Sequence, residues 1–311
     1  MEGGVTSFSS RGVIVRIAVL GAGSIGCLVA AKLVESGQDV IVHAKGEHGA
    51  ILAVNGLKVA GQWDFSVGRD DWTVSLDEAG LHPDLQGSCD LAIITCKSKD
   101  TLALAQIARY ICSGSVLSLQ NGLGNKEILE QVLGPHRVAV GVTTNAVFRN
   151  SPGEINWSGK GDVSVGGYAA NDFFSILSCM DVELVDDLEL ALWSKLLLNV
   201  AINPLAAICG VKNGELLQDP LLGQAESTML EAASVARMEE VELPLDQELI
   251  SKLHLVLKST AENRCSMLQD VKAGRETEIE MLCGEIVRRG ERCGVSTPLN
   301  TLLLAQVKSL R

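Results

Sequence analysis

The chain has 311 residues, 47% of them hydrophobic but only 4% aromatic, and a formal net charge of -12. That length suits two domains filled by small aliphatic side chains. The acidic balance repels nucleic-acid backbones and anionic lipid, so neither is an expected partner, whereas a small anion is accepted wherever a site's local field opposes the global sign.

The opening MEGGVTSFSSRGVIV lacks the charged start and long apolar core of a secretory signal and reads as a flexible leader over residues 1–15. No apolar run reaches the ~18 residues of a membrane span. The nine cysteines include no CxxC pair and the five histidines no HxxxH pair. A disulfide framework or a bound metal is therefore not expected, and reduced thiols fit a cytoplasmic location.

From Val13 onward, apolar strand-like runs alternate with helical patterns. VIVRIAVL is followed by SIGCLVAAKLVESG and then QDVIVHA, and LAIITC (91–96), SVLSL (115–119) and RVAVGV (137–142) come after. Such alternation implies βαβ units whose strands are covered on both faces. Between the first strand and first helix lies Gly21-Ala22-Gly23-Ser24-Ile25-Gly26. Its glycines suit a tight turn, close approach of a pyrophosphate and close helix–strand packing, so these six residues are candidate dinucleotide ligands.

The second strand ends in His43-Ala44-Lys45 with no acid to hold a ribose hydroxyl, although Glu47 follows closely. Lys45 is then either a partner for a 2′-phosphate, which favours NADP over NAD, or a solvated surface lysine. Lys97 follows the next strong strand, on the nicotinamide side of the sheet, and Asn121-Gly122 follows the one after. Asn121 is either a ligand residue or part of a turn, since Asn tolerates the left-handed conformation. Residues 151–168 hold two short runs meeting at Gly159-Lys160-Gly161, which predicts a hairpin added to the sheet edge.

After Asp186 only helical spacing remains. The expected fold is thus α/β: an N-terminal Rossmann-type, doubly wound, mostly parallel sheet over 16–187, then an all-helical C-terminal domain over 188–311. In LWSKLLLNVAINPLAAIC (192–209), Lys195, Asn199 and Asn203 recur at intervals of four on an otherwise apolar helix. Burying such groups unpaired costs roughly 1–3 kcal/mol per amide and more for an ammonium. They either line a wet cleft or form a polar seam between helices. Pro204 is expected to kink the helix or end its regular bonding. A desolvated lysine is also a group able to release a proton near neutral pH. Further on, Ser266 with Gln269 reads as a capping box, and a serine at a helix start is also placed to donate to a carboxylate.

With these residues in view, the chain from about Arg16 to Lys308 resembles the ketopantoate reductase (2-dehydropantoate 2-reductase) family. The resemblance is carried by GAGSIG, Cys96-Lys97-Ser98, LQNGLGN, WSKLLLNVAINPL, Asn213-Gly214-Glu215, and TAENRCSMLQD followed by TEIE. It implies NADPH-dependent reduction of ketopantoate to pantoate in pantothenate biosynthesis, in a cleft between the two domains. Lys195 would be the general acid and Glu278 its catalytic and substrate-binding partner. Asn121, Asn199, Asn203, Asn213, Asn263 and Ser266 would position the substrate, Ser266 near its carboxylate. Gly21, Gly23 and Gly26 with Lys45 and Lys97 belong to the cofactor side. Lys45 carries the charge of an arginine there without its bidentate fork. Reduction of another 2-oxo acid, or NADP binding without catalysis, are the rival readings, and the chain is expected to be a monomer or homodimer.

Overall fold

The computed structural model describes residues 14–310, so the expected leader lies, up to residue 13, outside the described residues. In chain order the N-terminal part contains β1 (Arg16–Leu20), α1 (Ser24–Glu35), β2 (Asp39–Ala44), α2 (Gly46–Asn55), β3 (Leu57–Gly61), β4 (Phe65–Val67), β5 (Thr73–Leu76) and β6 (Leu91–Ile94). There follow α3 (Thr101–Ile111), β7 (Val116–Ser118), α4 (Asn125–Leu133), β8 (Val138–Thr143), β9 (Ala146–Ser151), β10 (Glu154–Gly159), β11 (Val163–Gly166), α5 (Ala170–Phe174) and β12 (Val182–Leu184). The helical part is α6 (Leu188–Cys209), α7 (Leu221–Met238), α8 (Asp246–Ser259), α9 (Ser266–Lys272), α10 (Cys283–Cys293) and α11 (Pro298–Lys308).

The main sheet has eight strands in the order β12-β11-β8-β7-β6-β1-β2-β5. All its pairings are parallel except β8 with β11. Strand order reverses between β1 and β6, which leaves a crevice outside their carboxyl ends, where sheets of this type take ligands. The continuous apolar runs follow from coverage of both faces. Ile17 and Val19 point into one core with α1, while Ala18 and Leu20 point into another. That second core continues without a break into α6, α7 and α10, so the helical part is seated on the sheet by apolar packing.

A second sheet, ordered β4-β3-β10-β9, packs on α1 and was not foreseen. It corrects the hairpin expected at Gly159-Lys160-Gly161. The hairpin is instead β9–β10, turning at Pro152-Gly153 with Gly153 at φ +76°. Beyond β10 the chain crosses from the small sheet to the main one, where β11 pairs with β8. The crossing is pinned by Asn145 Oδ1, which accepts from Trp157 Nε1 and from the Gly161 N–H, both at 3.0 Å. A Cβ at Gly161 would lie 2.4 Å from Thr144 Oγ1, so only glycine passes.

Helix α6 starts at Asp187, whose carboxylate accepts from the Leu190 N–H at 2.9 Å, and stops at Gly210 in the left-handed conformation. Pro204 does not end it: the helix runs on to Cys209, because Leu205, Ala206 and Ala207 are buried and hold the last turns against the core. By length and composition α6 is apolar enough to cross a membrane, but 61% of that stretch is buried within the protein. All nine cysteines are unpaired.

Candidate active site

The glycine turn sits at the crevice between β1 and β6, and the reason for each glycine differs. Gly21 has φ +107°, and a Cβ on it would fall 2.6 Å from the Cys96 N. At Gly26 a Cβ would meet the Gly21 carbonyl at 2.1 Å and Thr95 Oγ1 at 2.4 Å, and that hydroxyl donates to the same carbonyl at 2.6 Å. The protein itself thus demands glycine at these two places. Gly23 is different: its Cβ would meet nothing nearer than the Thr95 carbonyl at 3.9 Å. The free space beside Gly23 is room for a ligand. Gly23 is also the N-cap of α1 without any side-chain cap, and the first turn holds no acid, so its amides remain open to an anion. Ala22, Ser24 and Ile25 complete the turn, half-buried. These residues fit a dinucleotide pyrophosphate.

Lys45 follows β2 as the N-cap of α2, largely exposed, and its ammonium pairs with Asp100 at 2.9 Å. Lys97, beyond β6, points across to the helical part instead. Its Nζ donates to Asp270 Oδ2 at 2.8 Å and to the Glu276 carbonyl. The expected cofactor-side lysines are therefore held in two separate places by carboxylates.

Two members of the polar line of α6, Asn199 and Asn203, open on a small crevice also lined by Asn121, Ser266, Met267, Asp270, Glu278 and Leu282, while Lys195, one turn earlier, stands outside that lining. Residues from the sheet side and from three helical segments meet there. Asn121 Nδ2 donates to Glu278 Oε2 at 3.3 Å, joining the loop after β7 to the turn before α10. Burial pushes the Glu278 carboxyl above its ordinary range, offset in part by the Asn121 bond and by the charges of Lys97 and Lys195, while Asp270 adds to the rise. Lys195 donates from Nζ to the Thr143 carbonyl at the end of β8, at 2.9 Å. Burial brings its ammonium down from 10.5 to about 8, and the charge of Glu278 opposes that fall. A lysine so held is protonated at neutral pH yet releases its proton readily.

Ser266 is exposed at the mouth of the crevice, but it is not the helix cap. Cys265 takes that place: its sulfur accepts from the Leu268 N–H at 3.4 Å and donates to the Asn203 carbonyl at 3.6 Å, tying α9 to α6. Gln269 turns its amide to the Arg264 carbonyl at 2.9 Å, so no capping box forms. The Ser266 hydroxyl is left without a partner within the helix start. Asn213 and Asn263 do not line the crevice. The Asn213 N–H donates to the Asn263 carbonyl at 3.0 Å and its Nδ2 to Thr260 Oγ1 at 3.0 Å, bracing the loop that leads into α9.

Asp270 and the Thr143 carbonyl are the members the sequence reading missed. Asp270 stands one turn after Ser266, on the same face, and holds both Lys97 and Arg275 Nε, the latter at 2.9 Å. Its spacing from Ser266 was the available signal, whereas a backbone carbonyl gives none.

Comparison with known proteins bears on both halves of the chain. The profile described as "Ketopantoate reductase PanE/ApbA" matches residues 17–170, and "Ketopantoate reductase PanE/ApbA C terminal" matches 187–311. The 2-dehydropantoate 2-reductase of Archaeoglobus fulgidus is 33% identical over 303 residues, covering 95% of this chain and 97% of that protein. Among solved structures, a PanE/ApbA family ketopantoate reductase from Ralstonia eutropha JMP134 is 31% identical with a TM-score of 0.84, covering 95% of this chain and 98% of the other. D-mandelate dehydrogenase in complex with NADH is 25% identical with a TM-score of 0.83, covering 94% and 98%.

Proposed function

The chain belongs to the ketopantoate reductase family, and on that premise we propose that it reduces ketopantoate to pantoate with NADPH, residues 16–187 holding the cofactor and 188–311 supplying the acid. The observation that carries this reading is Lys195: a desolvated ammonium, fixed on the Thr143 carbonyl and within the field of Glu278, one helical turn before Asn199, which with Asn203 and Glu278 lines the crevice.

On the cofactor side, Gly21 to Gly26 offer open amides to the pyrophosphate, with Lys45 toward a 2′-phosphate and Lys97 and Asn121 toward the nicotinamide half. The bound nicotinamide supplies a hydride. As the substrate carbonyl is reduced, negative charge grows on its oxygen, and the Lys195 ammonium both stabilises that charge and donates the proton. Thr143 keeps the ammonium aimed, since the carbonyl accepts one of its three N–H groups and leaves two free. Asn199 and Asn203 orient the substrate along the same helix face. Ser266, with its hydroxyl uncommitted, donates to the substrate carboxylate. Glu278 accepts from a substrate hydroxyl, and its charge keeps Lys195 protonated at neutral pH. Asn213 and Asn263 act through the loop they brace.

A second reading, reduction of a different 2-oxo acid, is favoured by the shared scaffold of D-mandelate dehydrogenase. The two are separated by following NADPH and NADH oxidation with ketopantoate and a panel of other 2-oxo acids. Turnover of ketopantoate with the highest kcat/KM supports the first reading. Silence with ketopantoate alongside turnover of another acid selects the second.

A further inference from the structure

Resting on the cofactor reading above, we propose that Glu78 and Asp100 set the choice between a 2′-phosphorylated and an unphosphorylated dinucleotide. In doubly wound sheets the adenosine ribose lies over the end of the second strand, where an acid selects a free 2′-hydroxyl and a base selects a 2′-phosphate. Here β2 itself ends without an acid, in His43-Ala44-Lys45. Two carboxylates reach the same corner from elsewhere in the chain. Glu78, on the short turn after β5, accepts from the Gly46 N–H at 2.6 Å. Asp100, on the turn after β6, pairs with Lys45 Nζ at 2.9 Å.

Both groups that would meet a 2′-phosphate are thus already engaged. The Gly46 N–H is the first open amide of α2, and the bond it makes holds the Glu78 carboxyl below the usual carboxylate range, so Glu78 is fully charged at neutral pH. Asp77 does not relieve this crowding, because it lies beside the His43 ring at 3.4 Å, and Glu47 adds a further negative charge in the first turn of α2. A 2′-phosphate carries about -1.5 to -2 charges. To bind, it must draw Lys45 away from Asp100 and settle beside Glu78. A 2′-hydroxyl meets neither obstacle and can donate to either carboxylate. Glu78 and Asp100 therefore hold the preference for NADPH below what Lys45 alone would give, and keep NADH usable. Glu78 is exposed and Asp100 half-buried, and neither belongs to a core, so substitutions at either leave the fold intact.

The test is isothermal titration of NADPH and of NADH into the full chain, unaltered and as Glu78→Gln and Asp100→Asn. Each variant should bind NADPH about five- to tenfold more tightly, from loss of one repelling charge or release of one attracting charge near the phosphate. NADH affinity should be unchanged or lower, so the NADPH-to-NADH affinity ratio rises. A ratio that falls, or stays within about twofold of the unaltered protein in both variants, overturns the proposal. If the unaltered protein binds neither nucleotide, the cofactor reading falls and this proposal with it. If it binds both while the ratio does not move, this proposal falls alone.

Discussion

Replacing Lys195 with Met should make the fold more stable while removing turnover. Burial holds the Lys195 ammonium at about 8 against an ordinary 10.5. At about 1.4 kcal/mol per unit this is a penalty of at most ~3.5 kcal/mol for keeping the charge in the folded state, and roughly 2–3 kcal/mol after allowing for water at the crevice. The Thr143 carbonyl loses its partner in the variant, which returns about 1 kcal/mol, leaving a net gain of about 1–2 kcal/mol. For a chain of this size that raises the thermal midpoint by about 2–6 °C. The sign of the pH dependence follows from linkage. The unfolded lysine holds its proton up to 10.5, while the folded one releases it near 8. The penalty is therefore complete below pH 8 and fades as pH rises through that window, because the unfolded state binds more protons there. Circular-dichroism melts of both proteins at pH 7 and pH 10 should show an advantage for Lys195→Met at pH 7 that is largely lost at pH 10. Equal midpoints at pH 7, or an advantage that does not change with pH, would refute the reasoning.

Glu278→Gln preserves the contact with Asn121 but deletes the charge, so kcat/KM for the 2-oxo acid should drop about 10- to 100-fold with NADPH affinity nearly unchanged. Because Glu278 raises the proton affinity of Lys195, the alkaline fall in activity should also move to lower pH, and an unmoved limb would remove Glu278 from that role. The two glycines of the turn should separate in one experiment. Gly26→Ala places a methyl 2.1 Å from the Gly21 carbonyl and should lower both the thermal midpoint and nucleotide binding. Gly23→Ser keeps or raises the midpoint, since serine caps a helix well, yet should weaken dinucleotide binding at least about tenfold. Unimpaired binding by Gly23→Ser would mean that the space beside Gly23 is not used.

Much of this arrangement is written in local pattern. The alternation of apolar runs announces the parallel sheet because burial on both faces removes polar positions, and GAGSIG stands where β1 hands over to α1. The four-residue spacing of Lys195, Asn199 and Asn203 is legible because the rest of α6 is apolar almost all round. The small sheet was not legible, since β3 pairs with β10 across a long stretch of chain and pairing partners leave no trace in either strand alone. Cys265 is not legible as the cap because a thiol rarely serves as one, and only the packing of α9 on α6 shows its sulfur lying against both backbones. Of the two outcomes expected at Pro204, the end of the helix does not occur: its local cost is real, but burial of the following turn outweighs it. Glu78 and Asp100 leave no local signal because an acid for the ribose is sought on the second strand, whereas these two reach Gly46 and Lys45 from the ends of two other strands.

The central claim, that the Lys195 ammonium protonates the reduced carbonyl, is tested most directly by the pH dependence of kcat/KM for ketopantoate reduction with saturating NADPH. The account predicts a level region at neutral pH and a tenfold loss per unit beyond a break near the about 8 of Lys195. A profile that stays flat from pH 7 to pH 10 would contradict it.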